Sequence, residues 1–259
     1  PTEFPFDVRT GGGVMRVTAC TSAVQDTFTR TLTDSWGSAT VGGAWTNTGG
    51  AGTDFDVTGS VGTHTQTSIN VSRYSVIAAP SADVDVVVSA ATSVLATGGP
   101  HYVGAVARYT DTNNLYYGRI AFNTDQTLTL VIQKRVAGAQ TDLTTVTVPG
   151  THAAGTFFKI RLQVTGTTLR AKAWPVSGTE PVAWQATVTD SSLTTAGSVG
   201  VRSILSSANT NTLPVTASFD DFNVINPQTF TVTRSINGVV KSHAVGQAIS
   251  LANPVYVAM

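Results

Sequence analysis

Apolar and polar residues alternate along most of this chain with a period of two. In residues 83–89, Val84, Val86 and Val88 fall on one face, and residues 158–164 repeat the same alternation. A period of two is typical of a half-buried β-strand, whereas an amphipathic helix repeats about every 3.6 residues. The pattern therefore predicts an all-β protein.

Turn-forming residues break the central part of the pattern into many short segments. The predicted strands are residues 67–78, 83–89, 101–109, 115–122, 127–133, 141–148, 158–164, 169–174, 182–188, 197–204 and 214–225. So many strands in about 200 residues are too many for one flat open sheet. Two stacked antiparallel sheets would bury one face of each. The sequence predicts a jelly-roll sandwich over residues 26–226, with a tight hairpin at Gly166–Thr168.

The two chain ends carry a separate set of short alternating segments. At the C-terminal end these are residues 230–234, 239–243 and 248–251, with an Asn-Gly turn between the first two. Neither end holds enough strand to bury a core by itself. Residues 1–25 and 227–259 are therefore predicted to form one small discontinuous β unit, into which the sandwich is inserted.

Composition excludes some classes of partner. Charged residues are only 12% of the chain and the formal net charge is zero, so no field attracts nucleic acid or an anionic membrane. No apolar stretch approaches the roughly 20 residues of a membrane-spanning helix. We expect neither nucleic-acid binding nor membrane insertion. Because the chain begins at Pro1, we expect it to be a piece of a longer protein.

Several short motifs resemble those of the concanavalin A-like (laminin-G-like) jelly-roll domains of actinobacteria and their phages. They are Asp26-x-Phe28-x-Arg30, Trp36-Gly37, Gly43-x-Trp45, Val103 to Tyr117, Thr167 to Trp174, Thr179-Glu-Pro-x-x-Trp184, Gly197-x-Val-Gly200 and Phe219-Asp-Asp-Phe222. This resemblance covers about residues 26–225. It implies a jelly-roll fold and contact with carbohydrate.

The flanks resemble the C-terminal region of minor tail proteins of tailed phages that infect actinobacteria. The residues concerned are Phe6-Asp-Val8, Gly12-Gly-x-Met15-x-Val-Thr18, Pro227 to Arg234, Ser235 to His243 and Pro254 to Met259. The resemblance implies a virion structural protein at the tail tip, with other tail subunits as partners and a trimer or ring as its assembly. The sandwich would then attach to polysaccharide on the host surface.

Enzyme chemistry finds little support in the sequence. Glycoside hydrolysis needs two carboxylates that flank the scissile bond, but Glu180 is the only glutamate between residues 26 and 225. No Gly-x-Ser-x-Gly nucleophile motif occurs, and no pair of histidines has zinc-ligand spacing. We expect no enzyme activity. Two alternatives stay open: a secreted bacterial glycan-binding or glycoside-hydrolase accessory domain, and a tail decoration without a ligand.

Aromatic and arginine side chains are the candidate glycan-binding groups. An aromatic ring can cover the apolar face of a sugar, and arginines spread over adjacent strands can bind acidic or hydroxyl-rich glycans. Arg202 is among these arginines, and the residues chosen as the site are Arg108, Tyr117, Arg119, Arg161, Arg170, Trp174 and Trp184. The competing explanation is that the tryptophans pack in the core and the arginines pair with aspartates.

A calcium ion is the one cofactor that the sequence leaves open. Laminin-G-like sandwiches, which the chain resembles, often hold Ca²⁺ near a sheet rim, and Asp111 and Asn113 lie in a turn rich in side-chain oxygens. An ordinary Asx turn between two strands explains the same residues without a metal.

Overall fold

The computed structural model describes residues 5–79, 81–244 and 247–252. Phe4 and the segment from Pro254 to Met259, on which part of the sequence interpretation rests, lie outside the described residues. Within them, regular structure consists of β-strands and one turn of 3-10 helix at Gly52–Asp54, which confirms the predicted all-β class. The described residues include no helix that is long and apolar enough to span a membrane.

The strand bounds are as follows: β1 (Phe6–Thr10), β2 (Gly13–Asp26), β3 (Thr31–Leu32), β4 (Thr46–Thr48), β5 (Phe55–Thr58), β6 (Gly62–Gln66), β7 (Arg73–Ile77), β8 (Val84–Thr92), β9 (His101–Asp111), β10 (Asn114–Phe122), β11 (Leu128–Val136), β12 (Ala139–Val148), β13 (Phe158–Thr165), β14 (Thr168–Pro175), β15 (Ala186–Thr189), β16 (Ser198–Leu205), β17 (Val215–Thr233) and β18 (Ser250–Leu251).

The chain forms two compact units. Unit 1 comprises Pro1–Ser22 and Gln228–Met259, and unit 2 comprises Ala23–Pro227. In unit 1, β1 pairs with β2 and with β18, always antiparallel. The side chain of Asn237 holds the β1–β2 turn, since its Nδ2 donates to the Gly12 carbonyl at 3.1 Å and its Oδ1 accepts from the Val14 amide at 3.2 Å.

The strands predicted for the C-terminal end differ from those in unit 1. Residues 239–243 are not in a strand, and the segment predicted at 248–251 is reduced to β18. Val240 is 89% exposed. Alternation therefore fails to give a strand here because the apolar residues have no buried face to occupy.

Unit 2 consists of two antiparallel sheets. Sheet I has the order β15-β14-β13-β8-β17, and β17 also pairs with β6, which leads through β5 to β3. Sheet II has the order β12-β11-β10-β9-β16-β7-β4. One continuous core combines the valines of β8 and the apolar residues of β13 with Ile120, Leu130 and Ile132 of sheet II. This is the predicted sandwich.

Most predicted strands of unit 2 are found, and two are much shorter than predicted. Of residues 67–78 only β7 is a strand, and of residues 182–188 only β15 begins there. Asn70 has a left-handed backbone with φ of 57°, and Val182 is fully exposed. The tight hairpin is confirmed, because Thr165 pairs with Thr168 across a two-residue turn whose Gly166 has φ of 55°.

The motifs at the start of unit 2 form an aromatic cluster around a buried carboxylate. Trp36 lies between Phe28 and Phe219, with ring centroids 5.1 and 5.9 Å away. Asp26 accepts a hydrogen bond from the indole nitrogen of Trp45 at 2.7 Å. The aromatic members of these motifs, Phe28, Trp36, Trp45 and Phe219, are therefore core-packing residues, and they indicate the fold.

Candidate functional site

A polar groove of about 220 Å³ lies on the outer face of sheet II. The sheet II groove is lined by Asn70, Tyr102, Tyr117, Arg119, Gln133, Gln140, Arg202, Ile204, Leu205, Ser206 and Ser207. β10, β11, β9, β12 and β16 supply most of these side chains, and residues just before β7 and just after β16 supply the others. The alternation of each strand explains the face, because the immediate sequence neighbours of these residues, such as Val103, Tyr116 and Val201, face the core.

Strand register places a glycine between two arginines on this face. Arg119 of β10 pairs with Gly104 of β9, and Gly104 pairs with Arg202 of β16. The arginines are thus two strands apart, about 10 Å between their Cα atoms. A Cβ at Gly104 would lie 2.1 Å from the Gly118 carbonyl oxygen, so the lack of a side chain here allows β9 to lie close against β10 between the two arginines.

Arg202 is almost completely buried at one wall of the groove. Its guanidinium lies over the rings of Tyr117 and Tyr74, at 4.9 and 5.5 Å from their centroids. It donates to Ser72 Oγ at 3.0 and 3.1 Å, to Gln133 Oε1 at 3.3 Å and to Gln140 Oε1 at 3.1 Å. All of these acceptors are neutral.

Arg119 occupies the other side of the groove. Its guanidinium lies 4.2 Å from the ring centroid of Tyr102, a cation–π arrangement. Asp142 is its carboxylate partner at 3.4 Å, and Asp142 also accepts a hydrogen bond from Gln133 Nε2 at 2.7 Å. A second depression of about 200 Å³ shares Tyr102 and Arg119 and includes Asp142. The polar surface therefore continues beyond the first depression.

Tyr117 is held as a neutral donor beneath the groove. Burial raises the pKa of its phenol, although the positive charges of Arg202 and Arg119 oppose that change. The hydroxyl donates to the Arg202 carbonyl at 2.8 Å. The ring thus fixes both the backbone and the guanidinium of Arg202.

The structure brings two of the sequence candidates, Tyr117 and Arg119, together in the sheet II groove. Arg108 is not among the residues that line the groove. It donates hydrogen bonds to the carbonyls of Ala82, Leu193 and Gly166 and pairs with Asp83 at 3.2 Å. It has a left-handed backbone with φ of 49°, at the irregular end of the β9–β10 pairing. Arg108 therefore links three separate segments of the backbone and has a structural role.

The remaining candidates, Arg161, Arg170, Trp174 and Trp184, belong to sheet I and the loop after β14. Arg161 binds Asp85 through two hydrogen bonds at 2.7 and 2.8 Å and Glu180 at 2.6 Å. Its guanidinium also lies 5.1 Å from the ring centroid of Trp184. The guanidinium of Arg161 is therefore already paired with two carboxylates.

Lys172 completes the charge balance of that network on sheet I. Its ammonium group donates to Glu180 at 3.0 Å and lies 4.6 Å from the centroid of Trp184. Two cations thus face two carboxylates, and the bonds to Asp85 and Glu180 raise the pKa of Arg161. Trp174 is 7% exposed. Arg161 and Trp184 therefore belong to this network and Trp174 is buried, whereas Arg170 is a half-buried residue of β14.

Asp111 and Asn113 form the turn between β9 and β10. The Asn113 amide donates to Asp111 Oδ1 at 2.6 Å, and Asn114 Nδ2 donates to both carboxylate oxygens at 3.2 and 3.0 Å. These bonds lower the pKa of Asp111. The arrangement is an Asx turn with its oxygens satisfied by N–H donors, and no group of three or more His, Cys, Asp or Glu that could hold a metal occurs among the described residues.

Sequence reasoning did not select Tyr102, Gln133 and Gln140, and it named Arg202 without choosing it. Single arginines and glutamines on alternating strands look alike in sequence. The register of β9, β10 and β16 decides which of them share a face. One signal was present in the chain: Gly104 and Gly200 interrupt otherwise well-filled strands, as occurs where another group approaches the backbone.

Gly104→Ala is expected to destabilise unit 2 by about 1–3 kcal/mol, the usual range for overpacking. A Cβ at this position would lie 2.1 Å from the Gly118 carbonyl oxygen and 2.6 Å from the Arg119 Cα, so backbone must move. Gly118→Ala is the matched control, since its Cβ would meet only Leu162 side-chain atoms, at 3.1 Å or more. Urea unfolding followed by tryptophan fluorescence should show the larger loss for Gly104→Ala; equal losses would contradict the geometry.

Comparison with known proteins identifies the fold. No protein-family model and no curated protein matches the chain. Among solved structures, a mutant of the GH43 protein BlXynB from Bacillus licheniformis matches with a TM-score of 0.54 and 12% identity over 78% of this chain and 39% of that chain. The β-glucanase of Bacillus licheniformis matches with 0.52 and 11%, over 79% and 98%.

A β-1,3-glucanase from Mycobacterium marinum matches with a TM-score of 0.50 and 13% identity, over 79% of this chain and 98% of that chain. Identities this low show the fold alone. The fold is the concanavalin A-like jelly-roll sandwich, which confirms the predicted fold class.

The predicted role as a phage minor tail protein is wrong. The three solved structures named above are a GH43 protein, a β-glucanase and a β-1,3-glucanase, and they fit the first alternative, a glycan-binding or hydrolase accessory domain, better than a phage tail protein. The tail-protein prediction rested on the flanking segments of the chain, whereas the core-packing motifs around Trp36 and Phe219 carried the resemblance of fold and do not specify a role. Tail subunits as partners, a trimer or ring, and a virion location stay predictions that the structure does not test.

Proposed function

We propose that this protein binds polysaccharide and that the sheet II groove is the binding surface. The observation that carries the proposal is the combination of the Tyr102 ring, two guanidinium groups and the neutral amides of Gln133 and Gln140 in one depression. Sugar hydroxyls suit such planar hydrogen-bonding groups, and an aromatic face suits the apolar side of a pyranose. The likeness to glucanases adds support at the level of the fold.

The groups in the groove favour binding over hydrolysis. None of its lining residues is a carboxylate, and the adjoining depression supplies Asp142 alone. Glycosidases of the usual retaining and inverting classes use two carboxyl groups, about 5–10 Å apart. On sheet I, Asp85 and Glu180 are joined through Arg161, so they are not poised on either side of a substrate.

Tyr102→Ala is expected to weaken polysaccharide binding by about tenfold, because the ring and its contact with Arg119 are both lost. Affinity electrophoresis and calorimetry of the whole chain against a panel of plant, bacterial and fungal polysaccharides would measure it. Trp184→Ala, on sheet I, is the control and should leave binding unchanged. The opposite result would move the site to sheet I.

A reducing-sugar assay on the same panel separates binding from catalysis. We expect bound polysaccharide to be recovered without new reducing ends. Release of sugar that depends on Asp142 would contradict a binding role, and binding of no polysaccharide at all would overturn the proposed function.

A further inference from the structure

Arg202 differs from the other buried arginines of unit 2 in its partners. Arg73 pairs with Asp54 at 2.9 Å, and Arg108 pairs with Asp83 at 3.2 Å. Arg202 is 2% exposed, yet within the described residues no carboxylate lies within 4.0 Å of it. A buried charge without a counterion costs several kcal/mol. Arg202 lines the sheet II groove, so a ligand bound there can contact this uncompensated charge.

The groove also carries an excess of positive charge. Arg119 and Arg202 contribute two positive charges, and Asp142 contributes one negative charge at 3.4 Å from Arg119, which leaves a net charge of +1. The side chain of Asp142 is 47% exposed, so solvent weakens even that compensation. A neutral ligand would leave this excess in place, whereas an anionic ligand would remove it.

The surroundings of Arg202 orient its guanidinium in advance. The rings of Tyr117 and Tyr74 hold its plane. Its hydrogen bonds to Ser72, Gln133 and Gln140 use four of the five N–H groups of the guanidinium, and the fifth is on Nη1. This remaining N–H, held in a fixed direction, can donate one charge-assisted hydrogen bond to a carboxylate oxygen.

We infer that the sheet II groove recognises an acidic polysaccharide, in which the carboxylate of a hexuronate sugar is the counterion that Arg202 lacks. This inference rests on the proposed function and narrows it to a substrate class. The amides of Gln133 and Gln140 surround the carboxylate position, and the ring of Tyr102, on the adjacent strand β9, covers a neighbouring part of the sugar. Arg119 supplies the second positive charge.

Polygalacturonate, alginate and hyaluronate test the inference, each beside its carboxyl-reduced form, which keeps the linkage but replaces the carboxylate with a hydroxymethyl group. Calorimetry on the whole chain, at about 0.1 M salt so that long-range attraction is screened, should show at least one acid polymer bound about tenfold or more tightly than its reduced form. That factor corresponds to one charge-assisted hydrogen bond.

Arg202→Gln should remove that preference while the reduced polymer still binds. Arg170→Gln on sheet I changes the net charge by the same amount and should keep the preference, which excludes a bulk charge effect. Arg119→Gln is the second variant, because its side chain reaches the surface; it should lower the preference even if Arg202→Gln does not fold. The thermal transition of every variant, followed by tryptophan fluorescence, monitors folding.

The outcomes separate the inference from the proposed function. Any one of three results would overturn the assignment to a carboxylate. The first is equal binding of the acid and reduced polymers, and the second is a preference that survives both Arg202→Gln and Arg119→Gln. The third is equally strong Arg202-dependent binding of dextran sulfate. If the chain binds only neutral glycans through the sheet II groove, the inference fails and the proposed function stands. If it binds no glycan, the proposed function itself fails.

Discussion

Asp26→Ala is expected to destabilise unit 2 by about 3–5 kcal/mol, the cost of breaking a buried ion pair from one side. Asp26 is fully buried and accepts hydrogen bonds from Arg30 at 2.7 and 2.8 Å, from Trp45 Nε1 at 2.7 Å and from the Phe28 amide at 3.0 Å. Alanine would leave the guanidinium of Arg30 without its carboxylate and the indole N–H of Trp45 without an acceptor. Each unsatisfied buried group adds to the loss.

Tryptophan fluorescence measures this effect well, because all four tryptophans lie in unit 2. For a unit of this size, the loss corresponds to a fall in Tm of roughly 10 °C. Asp26→Asn should give an intermediate loss, since it removes the charge and keeps an acceptor. Asp221→Asn, at an exposed position, is the matched control and should change stability by less than about 1 kcal/mol. If Asp26→Asn and Asp221→Asn change the free energy of unfolding by the same amount, the buried carboxylate of Asp26 does not stabilise the aromatic cluster.

Lowering the pH from 8 to 5 is expected to destabilise unit 2 through three buried histidines. Burial lowers the pKa of His152 to about 4, lowers that of His101, and lowers that of His64 well below its ordinary value. His152 stacks on Phe122 with centroids 3.9 Å apart. His64 contacts the hydroxyls of Ser203 and Ser75, and none of these neighbours carries a negative charge.

The sign follows from where the proton binds. Between the lowered pKa of the folded state and about 6.5 in the unfolded chain, the unfolded chain binds more protons, so stability falls as the pH falls through this window. His152 alone should cost about 2 kcal/mol at pH 5, and His101 and His64 add to it.

Urea unfolding at several pH values between 8 and 5 measures the loss. His152→Phe keeps the stack on Phe122 and should reduce the loss by about 2 kcal/mol. His243→Gln, outside this buried group, is the control and should behave as the parent. Stability that is constant or rises towards pH 5 would show that these histidines accept protons in the folded state.

The strands were predictable because each depends on a local property of the chain. Val84, Val86 and Val88 share a face wherever β8 is placed, and the turn at Gly166 needs only its own residues. The shortened strands show the limit of that argument: Val182 continues an alternating pattern, but it is fully exposed. A pattern becomes a strand only where a neighbouring strand and a core are present.

The site was only partly predictable, because pairing between charges depends on residues far apart in the chain. Arg161 and Arg202 both follow the same rule of alternation, yet Arg161 meets Asp85, 76 residues away, and Arg202 meets Ser72, 130 residues away. The sequence does not specify the strand register that brings residues so far apart in the chain into contact. The choice of Arg161 and the omission of Arg202 from the predicted site follow from that.

The order of amino acids is enough to predict that unit 2 is a two-sheet sandwich with polar side chains on its outer faces, because alternation of period two acts within each strand. The three-dimensional arrangement is needed to tell which of those side chains neutralise one another and which arginine keeps an uncompensated charge. Burial depends on the local pattern, whereas charge compensation depends on the register between distant strands. Gly104 lies between Arg119 and Arg202 in that register, and its lack of a side chain lets the backbones of β9 and β10 approach closely.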